Sequence, residues 1–203
     1  MRQSPRWLEP ASVAREPLAK QLRTLAWACR SDGLPSQAAI DLISDKPNRW
    51  NIEGEPTIYL SGDPALALIE SGRHPDDVVG QSALIEVELR IPLAIDLRDQ
   101  GVCRALGLPD DMTWVLDRVR TRDVARSLRH SGICDAMVVP SAGALDQADR
   151  WNAVVFADDP RTVGRMVGRP RPIGLVSIGV ERADTGAQEG IVVGRPSGGA
   201  ASL

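Results

Sequence analysis

An alternation of apolar and charged residues between Ala83 and Ile91 predicts the clearest strand of the chain. The aliphatic residues of one face are Ile85, Val87, Leu89 and Ile91. The charged residues of the other face are Glu86, Glu88 and Arg90. Since successive side chains of a strand point to opposite faces, this pattern indicates a strand that is half exposed. Shorter apolar runs predict further strands at residues 57–61, 93–97, 134–139, 152–156 and 173–180.

Helical periodicity, together with residues that favour helix ends, predicts several short helices. Within residues 17–30, an apolar stripe at helical spacing consists of Leu18, Leu22, Leu25 and Cys29. An N-cap at Asp63, followed by proline, predicts a helix that ends at Gly72. Thr121 is interpreted as the cap of another helix. Including that one, the remaining predicted helices span residues 100–106, 121–130 and 161–167.

The order of these elements predicts an α+β fold in one domain. Strands and short helices alternate irregularly, which favours a mixed or antiparallel central sheet with flanking short helices over a doubly wound parallel sheet. Residues 33–56 are rich in proline and lack periodicity, so they are expected to be mostly loop. The expected organisation is a loose lead-in at residues 1–16, a domain at 17–182 and a flexible tail at 183–203.

Composition excludes several classes of function. With 24 basic and 27 acidic residues among 203, the chain lacks the positive charge that nucleic-acid binding requires. The three cysteines are far apart in sequence, so neither a zinc site nor a disulfide framework is expected, and no other metal site is. No apolar run approaches 18 residues and the start lacks an apolar signal region, so a cytoplasmic protein is expected. The glycine motifs of Rossmann and P-loop nucleotide binding are absent from the sequence.

Within the segment between Asn48 and His74, three candidate ligand-binding residues lie on three different predicted elements. Arg49 lies in a turn, Tyr59 in a strand and Glu70 in a helix. Burying an unpaired carboxylate is costly, so Glu70, at the edge of an apolar helix face, should find a donor or a ligand. The three side chains could converge on an anionic ligand. Each also has a simpler interpretation: a surface ion pair for Glu70, a surface arginine for Arg49 and a core position for Tyr59.

Ser141 follows a predicted buried strand in the segment M-V-V-P-S-A-G-A. Binding sites are often built where strands end, so its hydroxyl is a candidate to contact a ligand. The G-x-S-x-G context of a hydrolase nucleophile is absent, which favours a hydrogen-bonding role over a nucleophilic one.

An ordered set of these motifs resembles the RES domain family, named for an arginine, a glutamate and a serine. The turn P-N-R-W-N, the strand T-I-Y-L-S and the helix A-L-A-L-I-E match its first half. The segments A-I-D-L-R, R-H-S-G, M-V-V-P-S-A and W-N-A-V-V-F match its second half, over about residues 25–158 in all. An earlier family arginine corresponds to Arg30 in W-A-C-R-S-D-G, and Asn152 corresponds to a later family asparagine. Pro47-Asn48 stands where the family has Gly-Gly.

The resemblance implies a fold similar to the ADP-ribosyltransferase toxins and a bacterial toxin of a toxin–antitoxin pair that consumes NAD+ as its substrate. It implies cleavage of the nicotinamide–ribose bond by hydrolysis or phosphorolysis, without a metal. In that interpretation Glu70 and Arg49 are catalytic. Glu70 stabilises the ribosyl cation, while Arg49 and Arg30 hold the pyrophosphate and adenosine side. The remaining substrate-binding residues are Tyr59, Ser141 and Asn152.

Two other functions stay open at this point. An ADP-ribosyltransferase would use the same residues and pass ADP-ribose to a protein or a small molecule. A RES-like domain that has lost catalysis would bind a nucleotide or a partner without turnover. The partners implied are NAD+, a cognate antitoxin of the helix-turn-helix type and a second copy of the chain in a homodimer, but neither nucleic acid directly nor a membrane.

Overall fold

The computed structural model describes residues 18–30, 38–72, 81–147, 149–181 and 190–193. The strands in this part of the chain are β1 (Ala19–Arg30), β2 (Thr57–Ser61), β3 (Gln81–Asp96), β4 (Ala136–Pro140), β5 (Trp151–Phe156), β6 (Arg171–Glu181) and β7 (Gly190–Val193). The α-helices are α1 (Pro64–Gly72), α2 (Gln100–Ala105), α3 (Arg118–Ser131) and α4 (Pro160–Met166). Two 3-10 helices span Ala39–Leu42 and Met112–Leu116.

The strands form a mixed sheet in the order β1-β2-β5-β4-β3-β6-β7. Among the pairings seen in the described ranges, β3 with β4 is parallel and the others are antiparallel. Because β1 also pairs with β3, the hydrogen bonding of five strands closes on itself. The predicted mixed sheet with few, short helices in one domain is therefore confirmed.

Strand β1 corrects the sequence prediction of a helix at residues 17–30. Arg23 and Leu25 are exposed while Ala26 is fully buried, and exposure alternates with period two from Gln21 to Ala26. β1 pairs with β3 along nearly its whole length, from Ala19 opposite Ile95 to Arg30 opposite Ala83. The apolar stripe at helical spacing was misleading, because these long-range hydrogen bonds override local periodicity.

Strand β3 is one continuous strand where the sequence predicts two. Its predicted apolar face is buried, with Ile85, Leu89 and Ile91 each at 0% exposure. Its pairing with β1 shifts register between the pairs at Ile91 and Ala94, so an extra residue is accommodated next to Pro92. A bulge is where a strand tolerates proline, and it moves the alternation by one position.

Helix α3 also begins earlier than predicted. Its N-cap is Asp117, whose side chain accepts hydrogen bonds from the backbone N–H groups of Val119 and Arg120. Thr121 therefore lies inside the helix rather than capping it, and it is fully buried. The predicted lead-in at residues 1–16 lies outside the described residues. So does most of the predicted tail at 183–203, within which the structure places β7.

The core consists of two groups of buried side chains. One group includes Ile58, Ile85, Leu89 and Met166, and the other includes Trp50, Leu97, Trp114 and Leu128. The second group joins α3 and the 3-10 helix Met112–Leu116 to the residues around Trp50. This packing brings α3 against the turn that carries Arg49.

Candidate active site

A cleft of about 510 Å³ brings together five of the six site residues predicted from the sequence. The five that line it are Arg30, Arg49, Tyr59, Glu70 and Asn152. They come from the end of β1, the turn before β2, β2 itself, α1 and β5. The sixth, Ser141, is fully buried beneath the cleft and reaches it through Glu70. Side chains as far apart in sequence as Arg30 and Asn152 therefore share one cavity.

Glu70 and Ser141 form a short contact between two polar side chains at this site. The Ser141 hydroxyl donates to Oε1 of Glu70 at 2.6 Å, across 71 positions of the chain. The backbone N–H of Gly143 donates to the same hydroxyl oxygen at 3.3 Å. Ser141 can thus orient the carboxylate, while no nucleophilic role is needed to explain its position.

Each cleft arginine is held by a backbone carbonyl of a 3-10 helix or its end. Arg30 donates from Nη1 to the carbonyl of Asp41 at 2.6 Å. Arg49 donates from Nη1 to the carbonyls of Val115, at 2.8 Å, and Leu116, at 3.3 Å. Carbonyl oxygens carry no net charge, so these contacts orient the guanidinium groups without neutralising them. Two directed cations in one cleft suit a phosphate-bearing ligand.

Tyr59 lines the cleft with its ring and organises the turn with its hydroxyl. The hydroxyl donates to Oδ1 of Asn51 at 2.8 Å and accepts from the backbone N–H of Trp50 at 3.2 Å. Burial raises the pKa of Tyr59 well above its usual range, so the phenol stays protonated at neutral pH. Its hydroxyl is therefore engaged in hydrogen bonds within the protein, and its ring remains the part that can contact a ligand.

Asn152 lies opposite Ser61 in the pairing of β5 with β2. Its Oδ1 accepts a hydrogen bond from the Ser61 hydroxyl at 2.9 Å. Because an acceptor role for Oδ1 fixes the amide orientation, the strand pairing determines which way this side chain faces. Asn152 is thus presented to the cleft by the sheet itself.

The cleft is positively charged overall. The charged residues among its described lining are Arg30, Lys46, Arg49 and Glu70. Lys46 was not singled out from the sequence, and neither was Trp27, whose half-buried side chain also lines the cleft. Trp27 begins the W-A-C-R-S-D-G motif from which only Arg30 was selected, and Lys46 directly precedes the P-N-R-W-N turn. Three cations and one carboxylate indicate a ligand with more negative than positive charge.

Helix α3 contacts the turn at Arg49 through residues that sequence reasoning missed. Thr121 donates from Oγ1 to the carbonyl of Arg49 at 2.7 Å, and Arg122 donates from Nε to the carbonyl of Asn48 at 2.9 Å. One turn further on, Arg126 pairs with Glu55 at 3.1 Å. Thr121 had been interpreted as a cap, and the sequence analysis assigned no role to Arg122 or Arg126. Their spacing on α3 could have indicated one face, but not what it contacts.

In the described ranges no cluster of three or more histidine, cysteine, aspartate or glutamate side chains could hold a metal ion. Within the same ranges, no helix has the length and apolar character needed to cross a membrane.

Comparison with known proteins identifies the family. The model of the RES domain matches residues 27–174, which include all six candidate site residues. The chain belongs to the RES domain family. No curated protein sequence matches it.

The fold is also similar to a chain in the crystal structure of the M. tuberculosis MbcT–MbcA toxin–antitoxin complex. The TM-score is 0.57 at 15% sequence identity, and the match covers 76% of this chain and 86% of that chain. At this level of identity the likeness concerns the fold.

Proposed function

We propose that this protein cleaves NAD+ at the nicotinamide–ribose bond and is the toxin of a toxin–antitoxin pair. The observation that carries the proposal is the shared cleft, in which Arg30 and Arg49 accompany the Glu70–Ser141 pair. Membership of the RES family supports it, and so does the fold shared with a toxin–antitoxin complex. Relationship to the ADP-ribosyltransferase fold, a cytoplasmic location and an antitoxin partner are parts of the same proposal.

The charges of the cleft match those of NAD+. The pyrophosphate of NAD+ carries two negative charges, which suit the guanidinium groups of Arg30 and Arg49. The nicotinamide ring carries the positive charge, and the ribose carbon attached to it becomes positive as the bond breaks. Glu70 is the one acidic side chain in the described lining, so it is the group suited to that end.

Cleavage needs no covalent intermediate with the protein. The carbon–nitrogen bond breaks with its electron pair on the ring nitrogen, and neutral nicotinamide leaves. The ribosyl carbon then resembles an oxocarbenium ion, which Glu70 stabilises as carboxylates do in glycoside hydrolysis. An oxygen of water or of phosphate forms the new bond to that carbon, and an attacking water releases a proton. Ser141 orients the carboxylate, Tyr59 offers its ring, and Asn152 offers its amide to ribose or to the carboxamide.

Product analysis after incubation with NAD+ tests this proposal. Hydrolysis yields ADP-ribose and nicotinamide, whereas phosphorolysis in phosphate buffer yields ADP-ribose 1″-phosphate. Transfer instead leaves labelled ADP-ribose on an acceptor, and a non-catalytic domain binds NAD+ without releasing nicotinamide.

Glu70→Gln is expected to lower turnover by ~10²–10³-fold, because it removes the carboxylate that stabilises the developing charge. The matched control is Glu88→Gln, which changes an exposed carboxylate paired with Arg90 outside the cleft lining. Full turnover by Glu70→Gln, or no nicotinamide release by the unmodified protein, would contradict the proposal.

A further inference from the structure

Two successive residues of α3 hold two successive carbonyls of the Arg49 turn. The Thr121 hydroxyl lies 2.7 Å from the carbonyl of Arg49, and 3.1 and 3.2 Å from those of Asp117 and Arg118 in its own helix. A hydroxyl has one proton to donate, and the shortest of these three contacts is the one to the Arg49 carbonyl. Arg122 adds a bond of 2.9 Å from Nε to the carbonyl of Asn48. The main chain of the turn is thus fixed from α3.

The guanidinium of Arg49 is fixed by the same part of the chain. Its Nη1 donates to the carbonyls of Val115 and Leu116, at the end of the 3-10 helix. Asp117 is both the C-cap of that helix and the N-cap of α3. Residues 112–122 therefore form one continuous segment that holds Arg49 at its carbonyl and at its charged end. Trp114 of the segment also packs edge-on against Trp50, with ring centres 5.9 Å apart.

The turn itself lacks glycine at the two positions before Arg49, where Pro47 and Asn48 stand. Its backbone is held instead by hydrogen bonds from outside and by the Asn48 side chain, which accepts from the N–H of Arg49 at 2.8 Å. A hydroxyl that is 0% exposed and bonded to the main chain of a cleft residue has no route to solvent or to a ligand. Its effect on a reaction must pass through Arg49.

We propose that Thr121, assisted by Arg122, is a positioning residue for Arg49. Thr121 sets where the Arg49 guanidinium meets the substrate without touching the substrate itself. The statement about substrate rests on the proposed function, but the placement of the Arg49 side chain does not. Thr121→Val, which keeps the shape and removes the hydroxyl, should displace Arg49, whereas Thr121→Ser should retain its position.

A double-mutant cycle on NAD+ cleavage tests the effect on the reaction. Thr121→Val is expected to lower kcat/KM by about tenfold, since small displacements of substrate-positioning groups are costly. Thr121→Ser should stay within about threefold of the unmodified protein. In an Arg49→Ala background the Thr121→Val change should have almost no further effect, because the two residues act through one contact. An undiminished loss in that background would show a general structural role and overturn the proposal.

A second measurement needs no NAD+. The Nε–H signal of Arg49, assigned by its disappearance in Arg49→Lys, is followed in nitrogen-15 NMR spectra. We expect it to move in Thr121→Val and in Arg122→Met, and to stay in place in Thr162→Val, an exposed threonine of α4. An unmoved signal in both α3 variants overturns the proposal even if the protein cleaves NAD+. If the unmodified protein does not cleave NAD+, the proposed function fails while this measurement still decides the positioning. If Thr121→Val does not fold, Arg122→Met carries the same prediction.

Discussion

The two charged sides of the cleft are built in different ways. Arg49 is held by a segment distant in sequence, at its own carbonyl by Thr121 and at its guanidinium by Val115 and Leu116. Glu70 lies on the nine-residue helix α1, and its carboxylate accepts a hydrogen bond from the hydroxyl of Ser141, which follows β4. The arginine side is held by contacts to backbone carbonyls, whereas the carboxylate side includes a contact between two side chains.

This difference predicts that substitutions on one side of the cleft mainly affect stability, and that substitutions on the other side mainly affect catalysis. A turn held by several independent hydrogen bonds tolerates Pro47 and Asn48 before the arginine, because its position is imposed from α3. The Glu70 carboxylate accepts a hydrogen bond from the Ser141 hydroxyl and should respond to the loss of that oxygen. Changes on the α3 side should therefore mainly affect folding, with Thr121 as the exception argued above. Changes on the Glu70 side should mainly affect turnover.

The largest effect is expected from Arg129 of α3, which joins the helix to the start of β2. Its side chain is 8% exposed and donates to the Pro56 carbonyl at 3.1 Å and to Thr57 Oγ1 at 2.7 Å. It also pairs with Asp158 and lies over the Phe156 ring. Arg129→Met should lower the free energy of unfolding by about 2–4 kcal/mol, because the Pro56 carbonyl and the Thr57 hydroxyl lose a charged hydrogen-bond donor.

Urea unfolding of Arg129→Met, beside the unmodified protein, measures that loss. Arg120→Met is the matched control, since Arg120 is exposed on the same helix. Equal stability of the two variants would show that the buried contacts of Arg129 to the start of β2 do not stabilise the fold, and the expectation that changes in α3 mainly affect folding would be wrong.

Ser141→Ala tests the carboxylate side and should have a smaller effect, on catalysis. Removing the hydroxyl leaves Glu70 without the donor at 2.6 Å, and kcat for NAD+ should fall about tenfold, or about 1.4 kcal/mol. Ser131→Ala, which removes a hydroxyl bonded to the Leu128 carbonyl at the end of α3, is the control. The contrast fails if Ser141→Ala lowers stability substantially and leaves kcat unchanged.

The elements with strong end signals could be predicted from the sequence. Helix α1 runs from Pro64 to Gly72 as predicted, because Asp63 accepts a hydrogen bond from Leu66 N–H as an N-cap does. Strand β2 also has its predicted bounds. β1 was missed because its strand conformation depends on hydrogen bonding to β3, which lies far away in the sequence. Leu25, which belonged to the supposed apolar stripe, is exposed.

The candidate site was predicted residue by residue, but its geometry was not. The order of the RES motifs indicated all six residues, of which five line one cleft and Ser141 bonds Glu70. Their roles in a reaction stay predictions. Thr121 could not have been found in this way, because its contact with the Arg49 carbonyl spans 72 positions and involves main chain that carries no sequence signal.

The smallest effect is expected from Tyr59→Phe, which removes the hydroxyl by which β2 contacts the turn. Loss of the hydroxyl removes one bond to Asn51 and one from the Trp50 N–H, so the free energy of unfolding at pH 7 should fall by about 1 kcal/mol. Burial raises the pKa of Tyr59 in the folded state, so its proton favours folding below an unfolded-state pKa of about 10. That contribution is lost as the pH rises beyond this value.

The unmodified protein should therefore lose stability above pH ~10 more steeply than Tyr59→Phe. Burial also raises the pKa of Cys103 to about 11 and that of Cys134 to about 12, and these thiols add to the alkaline loss in both proteins. Because Tyr59 is the single tyrosine of the chain, the difference between the two curves isolates its phenol. Urea unfolding from pH 7 to 11 measures both curves. Parallel curves would show that the Tyr59 hydroxyl is solvated, and curves that coincide would show in addition that its hydrogen bonds do not stabilise the turn.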